Sequence, residues 1–170
     1  MEARYPSESR TILTDLVLPG ETNPLNNLFG GELLARMDRA AGIAAGRHSR
    51  RIVVTASVNH VAFSKAIPLG SVVTVEAKVS RAFRSSMEVV IDVWIEDRQS
   101  GDKTRANEAI YTFVAVNESG APVMTIPQIK PETELEQERF DAALRRKQLS
   151  LVLAGKMKPD DATELKALFT

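Results

Sequence analysis

Three stretches in the middle of the chain alternate apolar and polar residues with a period of two: 72-VVTVEAKVS-80, 87-MEVVIDVWIE-96 and 104-TRANEAIYTFVAV-116. That is the pattern of strands with one buried face. Two more strands are expected at 11-TILTDLVL-18, closed by Pro19-Gly20, and at 52-IVVTASVNHVAF-63, which is rich in β-branched residues. Pro68-Leu69-Gly70 and Gln99-Ser100-Gly101-Asp102 supply turns. The last four strands have short connections, so sequential strands are expected to be antiparallel neighbours. Between the first and second strands the period becomes helical. From Gly30 to about Arg47, Leu33, Leu34, Met37, Ala40, Ala41, Ala44 and Ala45 fall on one arc at ~100° per residue. Glu32, Arg36 and Arg39 fall opposite, with Glu32 and Arg36 spaced for an i,i+4 pair. Ile43 also lands on the polar side, where another surface is expected to cover it.

The pattern changes again after Gln128. Residues 131-PETELEQERFDAALRRKQLSLVLAG-155 lack β-branched residues between Thr133 and Val152. A proline at the first helical position, early glutamates and later Arg145, Arg146 and Lys147 follow the charge order that a helix dipole favours. A second short helix is expected from Pro159. The chain divides into 1–127, a sheet with one helix, and 128–170, a C-terminal helical extension.

A chain of 170 residues buries a core without a metal or disulfide staple. Its 22 basic and 22 acidic residues argue against a nucleic-acid binder that works by neutralising phosphates. With no cysteine there is no disulfide framework and no thiolate metal site. No apolar run approaches the ~20 residues of a membrane span, and MEARYPSESR lacks a signal-peptide core. The expectation is a cytoplasmic protein.

Two features of the helix do not suit simple packing. It opens on Gly30-Gly31, which leaves backbone N–H groups and the positive end of the dipole facing uncovered space, a place that favours negative charge. In acyl transfer such donors serve as an oxyanion hole; a turn that needs positive φ is the plain alternative. Asp38 sits at the edge of the apolar arc beside Leu34 and Ala45. It is either partnered by an arginine, exposed in a cleft or at work chemically. One antiparallel sheet and one alanine-rich helix make an incomplete globule. The expected solution is an α+β fold whose five-stranded sheet wraps around the helix and places Asp38 at a boundary.

Asn23 and 27-NLFGGELLARMD-38 together resemble the active-site signature of the hot-dog-fold acyl-CoA thioesterases: a loop asparagine, a Gly-Gly helix start and a Met-Asp further along the helix. Val53-Val54-Thr55, Phe63, the strand Asn107–Val116 and the tail from Pro131 to Phe140 are similar to later parts of that family, and the tail resembles its cytosolic long-chain branch. The resemblance spans roughly residues 10–148. It implies hydrolysis of fatty acyl-CoA, with no cofactor because coenzyme A is part of the substrate. It also implies dimers joined by a continuous sheet, a homohexamer built as a trimer of dimers, and active sites between subunits. By matching positions, Asp38 is the general base or the nucleophile. Asn23 orients water or the thioester from the opposite subunit, although Asn26 and Asn27 lie close enough to confuse that assignment. The Gly31 N–H, with Gly30, holds the oxyanion. Thr55 and Phe63 are expected to border the substrate, and Arg84-Ser85-Ser86 and Arg105 to meet the phosphates of coenzyme A. The alternatives are a non-catalytic acyl-CoA sensor and a hydrolase for another thioester. A dehydratase would need a histidine at the helix start, and His48 and His60 both lie elsewhere.

Overall fold

The computed structural model describes Met1–Thr170. One antiparallel sheet contains β1 (Thr11–Leu16), β2 (Ile52–Ala62), β3 (Val72–Ala82), β4 (Ser86–Glu96) and β5 (Lys103–Val116), in the order β1-β3-β4-β5-β2. The helix α1 (Gly30–Ser49) lies on its inner face. Alternation decides which side chains meet it. Val73, Val75, Ala77 and Val79 of β3, Met87, Val89, Ile91 and Val93 of β4, and Ala109, Tyr111, Phe113 and Ala115 of β5 share one core with Leu33, Met37, Ala40, Ala41, Ala44 and Ala45. The alanines keep the helix close to the sheet, and the sheet curves around it as the pattern implies.

The sheet order corrects one expectation. β2 pairs with β5 rather than with its sequence neighbour β3. The β3–β4 and β4–β5 hairpins fill one side of β5, which leaves its other side to the strand arriving from α1. Segment 63–71 then crosses the end of the sheet to reach β3. This crossing is possible because its backbone groups bond to Val17, Asn26 and Leu28 on the way.

α1 runs to Ser49 and ends on Arg50 in the left-handed region, φ 56°. Arg36 does not pair with Glu32. It is buried, and its guanidinium donates to Glu21 and to the Leu16 carbonyl, both at 2.9 Å. The first loop offers it a partly shielded carboxylate partner, which Glu32 on the solvent side cannot match. Ile43 stays exposed within the protomer.

The second helix, α2, spans Glu134–Leu153, so Pro131 precedes it instead of opening it. The cap is Thr133: its hydroxyl accepts from the Glu136 N–H at 3.1 Å, while Glu136 accepts from the Thr133 N–H. α2 lies on the outer face of the sheet, and its polar contacts specify the seat. Arg146 forms a two-pronged pair with the buried Glu88 at 2.7 and 2.8 Å, and the Ser80 hydroxyl also donates to Glu88 at 2.7 Å. Arg139 meets Asp92 at 2.9 Å, and Arg81 stacks 4.0 Å from the Phe140 ring centre. A 3-10 turn at Pro159–Asp161 and the short α3 (Thr163–Lys166) follow. No helix is long and apolar enough to cross a membrane.

Candidate active site

The loop before α1 is organised around its polar side chains. Glu21 accepts from the Leu18 N–H and from Arg36, each at 2.9 Å. The Leu18 N–H first, then Arg36, hold its carboxyl below the usual range. Asn23 closes the next turn. Its Oδ1 accepts from the N–H of Leu25 at 3.0 Å and of Asn27 at 3.2 Å, and its own N–H donates to the Asn27 carbonyl at 2.8 Å. With the amide oxygen so occupied, the Nδ2 hydrogens are left to face outward. Asn26 has a plainer role: it occupies a left-handed turn position, φ 57°, that asparagine tolerates well.

The Phe29 N–H donates to the Glu21 carbonyl at 2.9 Å and delivers the chain into the helix. The helix N-terminus has no side-chain cap. Within the chain no acceptor pairs with the N–H of Gly30 or Gly31, as the first turn of any helix requires. A methyl group on Gly31 would meet nothing within 4 Å, so its Cα faces open space. The Gly30 side is narrower, with the Phe63 ring 3.4 Å from the position a Cβ would take.

Two turns along α1, Asp38 is half-buried and its Oδ1 accepts from the Thr55 hydroxyl at 2.6 Å. Thr55 lies opposite Phe113, which faces the helix; a bulge at Ala56 follows it immediately. Bulges of this kind re-aim side chains and recur beside active sites. Tyr111, which the sequence did not single out, is buried beneath. Its hydroxyl donates to the Leu34 carbonyl at 3.0 Å. Burial, then the Asp38 charge, pushes the phenol up to about 12, so it remains a donor. Its only advance signal was the inward alternation of Ala109, Tyr111, Phe113 and Ala115.

The structure thus joins Asp38 to Thr55 and Gly30 to Phe63. Asn23 makes no hydrogen bond to Asp38 within the protomer. Arg84 lies in the β3–β4 turn against Met124, and Ser85 uses its carbonyl to accept the Ala115 N–H at 2.8 Å. The Ser86 hydroxyl lies 3.5 Å from Lys147 of α2, a cation brought to this turn from a distant segment. Arg105 is already paired with Asp92 and Glu108. Of the histidines, His48 is buried with Nε2 2.7 Å from the Pro127 carbonyl, and burial lowers its pKa. His60 is exposed on β2. Neither stands at the helix start. A groove of about 870 Å³ between α2 and the outer side of β2 and β5 contains none of the candidate residues.

This arrangement sets a half-buried carboxylate two turns along a helix whose exposed start carries free N–H donors. Comparisons with known proteins show the family. The Thioesterase superfamily profile matches residues 25–101. The chain is 40% identical over 145 residues to a Bacillus subtilis (strain 168) protein named uncharacterized acyl-CoA thioester hydrolase YkhA, covering 85% of this chain and 84% of that one. The chain belongs to the hot-dog acyl-CoA thioesterase family. It is an acyl-CoA thioester hydrolase. A solved apo-hexameric acyl-CoA thioesterase superposes with a TM-score of 0.86 at 38% identity, over 91% of this chain and 98% of that one. The Staphylococcus aureus acyl-CoA hydrolase, solved with butyryl coenzyme A and coenzyme A, gives 0.82 at 34% identity over 97% and 99%. The hot-dog architecture expected from the resemblance is therefore the fold of this thioesterase.

Proposed function

We propose that this thioesterase hydrolyses fatty acyl-CoA to free fatty acid and coenzyme A, with Asp38, Asn23 and the Gly31 N–H at the reacting centre. The observation that carries the proposal is the 2.6 Å bond between Asp38 and Thr55, two turns along a helix whose start is uncapped. A further observation supports it. The Staphylococcus aureus hydrolase has been solved with alanine replacing an asparagine, an aspartate or a threonine. Those three residues follow one another at intervals of 15 and 17 positions, and Asn23, Asp38 and Thr55 do the same here.

In the general-base route Asp38 takes a proton from water while the water oxygen bonds to the thioester carbon. The Gly31 N–H, with Gly30, donates to the resulting oxyanion. The C–S bond then breaks, and the coenzyme A thiolate leaves and takes up a proton. In the nucleophilic route Asp38 itself bonds to the carbon, and water cleaves the mixed anhydride. Thr55 fixes the carboxylate in either route. Asn23 presents its Nδ2 hydrogens to the water or the thioester. Neither route calls for a metal or cofactor. Phe63 borders the acyl group, and Arg84, Ser85, Ser86 and Arg105 are the candidates for the phosphates. Residues 1–127 form the catalytic unit, and 128–170 brace its outer face. The site is completed by a second copy, with the dimers assembled as a homohexamer that works in the cytoplasm.

Mixing variants tests the shared site. Asp38→Asn and Asn23→Ala are each expected to be inactive. If Asn23 and Asp38 act from opposite subunits, hetero-dimers formed by co-expression regain one intact site of two, or about a quarter of wild-type activity in a random mixture. No recovery would place both residues in one subunit. Tight acyl-CoA binding without turnover by the wild type would make the protein a sensor. Turnover confined to aromatic or carrier-protein thioesters would change the substrate class.

A further inference from the structure

The segment that crosses the end of the sheet, Phe63–Leu69, is tied to the candidate site at several points. The Leu28 N–H donates to the Ile67 carbonyl at 2.7 Å, and the Leu69 N–H to the Asn26 carbonyl at 2.8 Å. Asn27 and Pro68 form a β-bridge between these two bonds. The segment is therefore a strap along the loop that holds Asn23. The connection to Asn23 is direct, because Asn27 both donates to its Oδ1 and accepts from its N–H. At the other end of the strap the Phe63 ring rests against Gly30.

The first half of the strap has little else to hold it. Phe63, Ser64, Lys65 and Ala66 are all exposed. One hydrogen bond fixes them: the Ser64 N–H donates to Asn107 Oδ1 at 2.8 Å. Asn107 is an unusual residue for its place. It lies on β5 at 3% exposure, and its Nδ2 has no partner. It also sits at a register shift, where Val93 faces Asn107 but Trp94 faces Arg105, so that Ala106 and Asn107 are buried in succession. A buried amide with an unsatisfied donor costs stability that an aliphatic residue would keep. Packing does not account for it, whereas the bond to Ser64 does.

We propose that Asn107 is a positioning residue for the hydrolysis. It acts through Ser64 on the strap, and the strap sets the Asn23 loop on one side and Phe63 against Gly30 on the other. This inference rests on the placement of the reaction at Asn23, Asp38 and the helix start. Small displacements of positioned groups are costly in rate, about a hundredfold for an ångström. Of the groups assigned to substrate binding only Phe63 lies on the strap, so the greater part of the loss belongs in kcat.

The test compares wild type, Asn107→Ala, Asn107→Asp and Asp38→Asn in the assembled enzyme, by thiol release from a fatty acyl-CoA and by amide hydrogen exchange. Asn107→Ala is expected to lower kcat about tenfold or more, with KM changed less than about twofold. Its exchange should quicken at Ser64 and, along the strap, at Leu28 and Leu69. Asn107→Asp, which keeps an oxygen at the Oδ1 position, should recover the greater part of kcat. A folded Asn107→Ala with wild-type kcat and a lower Tm would make the residue structural and overturn the proposal. So would faster exchange confined to Ser64, or an Asp variant no better than Ala. Should Asn107→Ala fail to fold, the wild type still decides: an unprotected Ser64 amide overturns the pin, and a protected one supports it. Full activity in Asp38→Asn overturns the placement of the site itself. Loss in Asp38→Asn beside wild-type turnover in Asn107→Ala overturns this inference alone.

Discussion

Replacing Thr55 by valine removes one hydroxyl and little else. Valine has the same shape and suits a strand equally well, and Thr55 is exposed within the protomer, so the core is undisturbed. What disappears is a 2.6 Å hydrogen bond to a carboxylate, short enough to belong to the charge-assisted class. Bonds to charged groups contribute about 1.5–3 kcal/mol. If the bond serves to hold Asp38 in its reactive orientation, most of that appears in the activation barrier, where about 1.4 kcal/mol is tenfold in rate. The expected loss in kcat is therefore about ten- to a hundredfold. The lower figure applies if water reaches the vacated position, and the upper if a second subunit excludes it. Thr55→Ser keeps the hydroxyl and should retain most of the rate. The assay is steady-state thiol release from a saturating acyl-CoA, with oligomer size and Tm measured alongside. A Thr55→Val enzyme within twofold of wild type would refute the reasoning, because Asp38 would then need no help from β2.

Three other perturbations reach different parts of the account. Gly31→Ala has room for its methyl, with no atom within 4 Å. It should raise Tm slightly, by about 0.4–1 kcal/mol of stability, yet lower kcat/KM because the methyl enters the space of the thioester; unchanged kcat/KM would remove Gly31 from the site. Arg146→Ala leaves the buried Glu88 carboxylate with only Ser80. Breaking a fully buried pair costs about 3–5 kcal/mol, and the 32% exposure of the Arg146 side chain reduces this to about 2 kcal/mol. That corresponds to about 4–8 °C in Tm by calorimetry, and a change under 1 °C would mean that α2 is not braced there. His48 is held neutral by burial, its folded pKa lying below the ordinary 6.5. The unfolded chain therefore takes up a proton first as pH falls, and stability declines from about pH 6.5 downward through the folded pKa. His48→Gln should flatten that part of the Tm-against-pH curve, and an unaltered slope would exclude His48 as its source.

Much of the fold was written in local patterns. The period of two in β3, β4 and β5 and the helical arc of α1 name the core residues almost one for one, because each element buries a single face. Pairing was less legible. The β2–β5 neighbours arise from competition for the free side of β5, a long-range outcome that no window of sequence contains. The arginines show the same limit: Arg36 was read by helical spacing against Glu32 and Arg105 as a phosphate candidate, but their carboxylate partners Glu21 and Asp92 come from other segments. In the candidate site, Asp38 and the two glycines stood out because each is a poor choice for packing. Thr55 was ambiguous until the bulge at Ala56 and its bond to Asp38 were in view. Tyr111 and Asn107 stayed hidden for the opposite reason, since they occupy positions that the alternation assigns to the core or to a plain strand.

The central claim is that the Asp38 carboxylate does the chemistry. The most direct test is thiol release from long- and short-chain acyl-CoAs by Asp38→Asn beside the wild type, with folding and oligomer size checked in both. The account predicts a loss of kcat of about a hundred- to ten-thousandfold in a protein otherwise unchanged. Wild-type turnover by Asp38→Asn would contradict it.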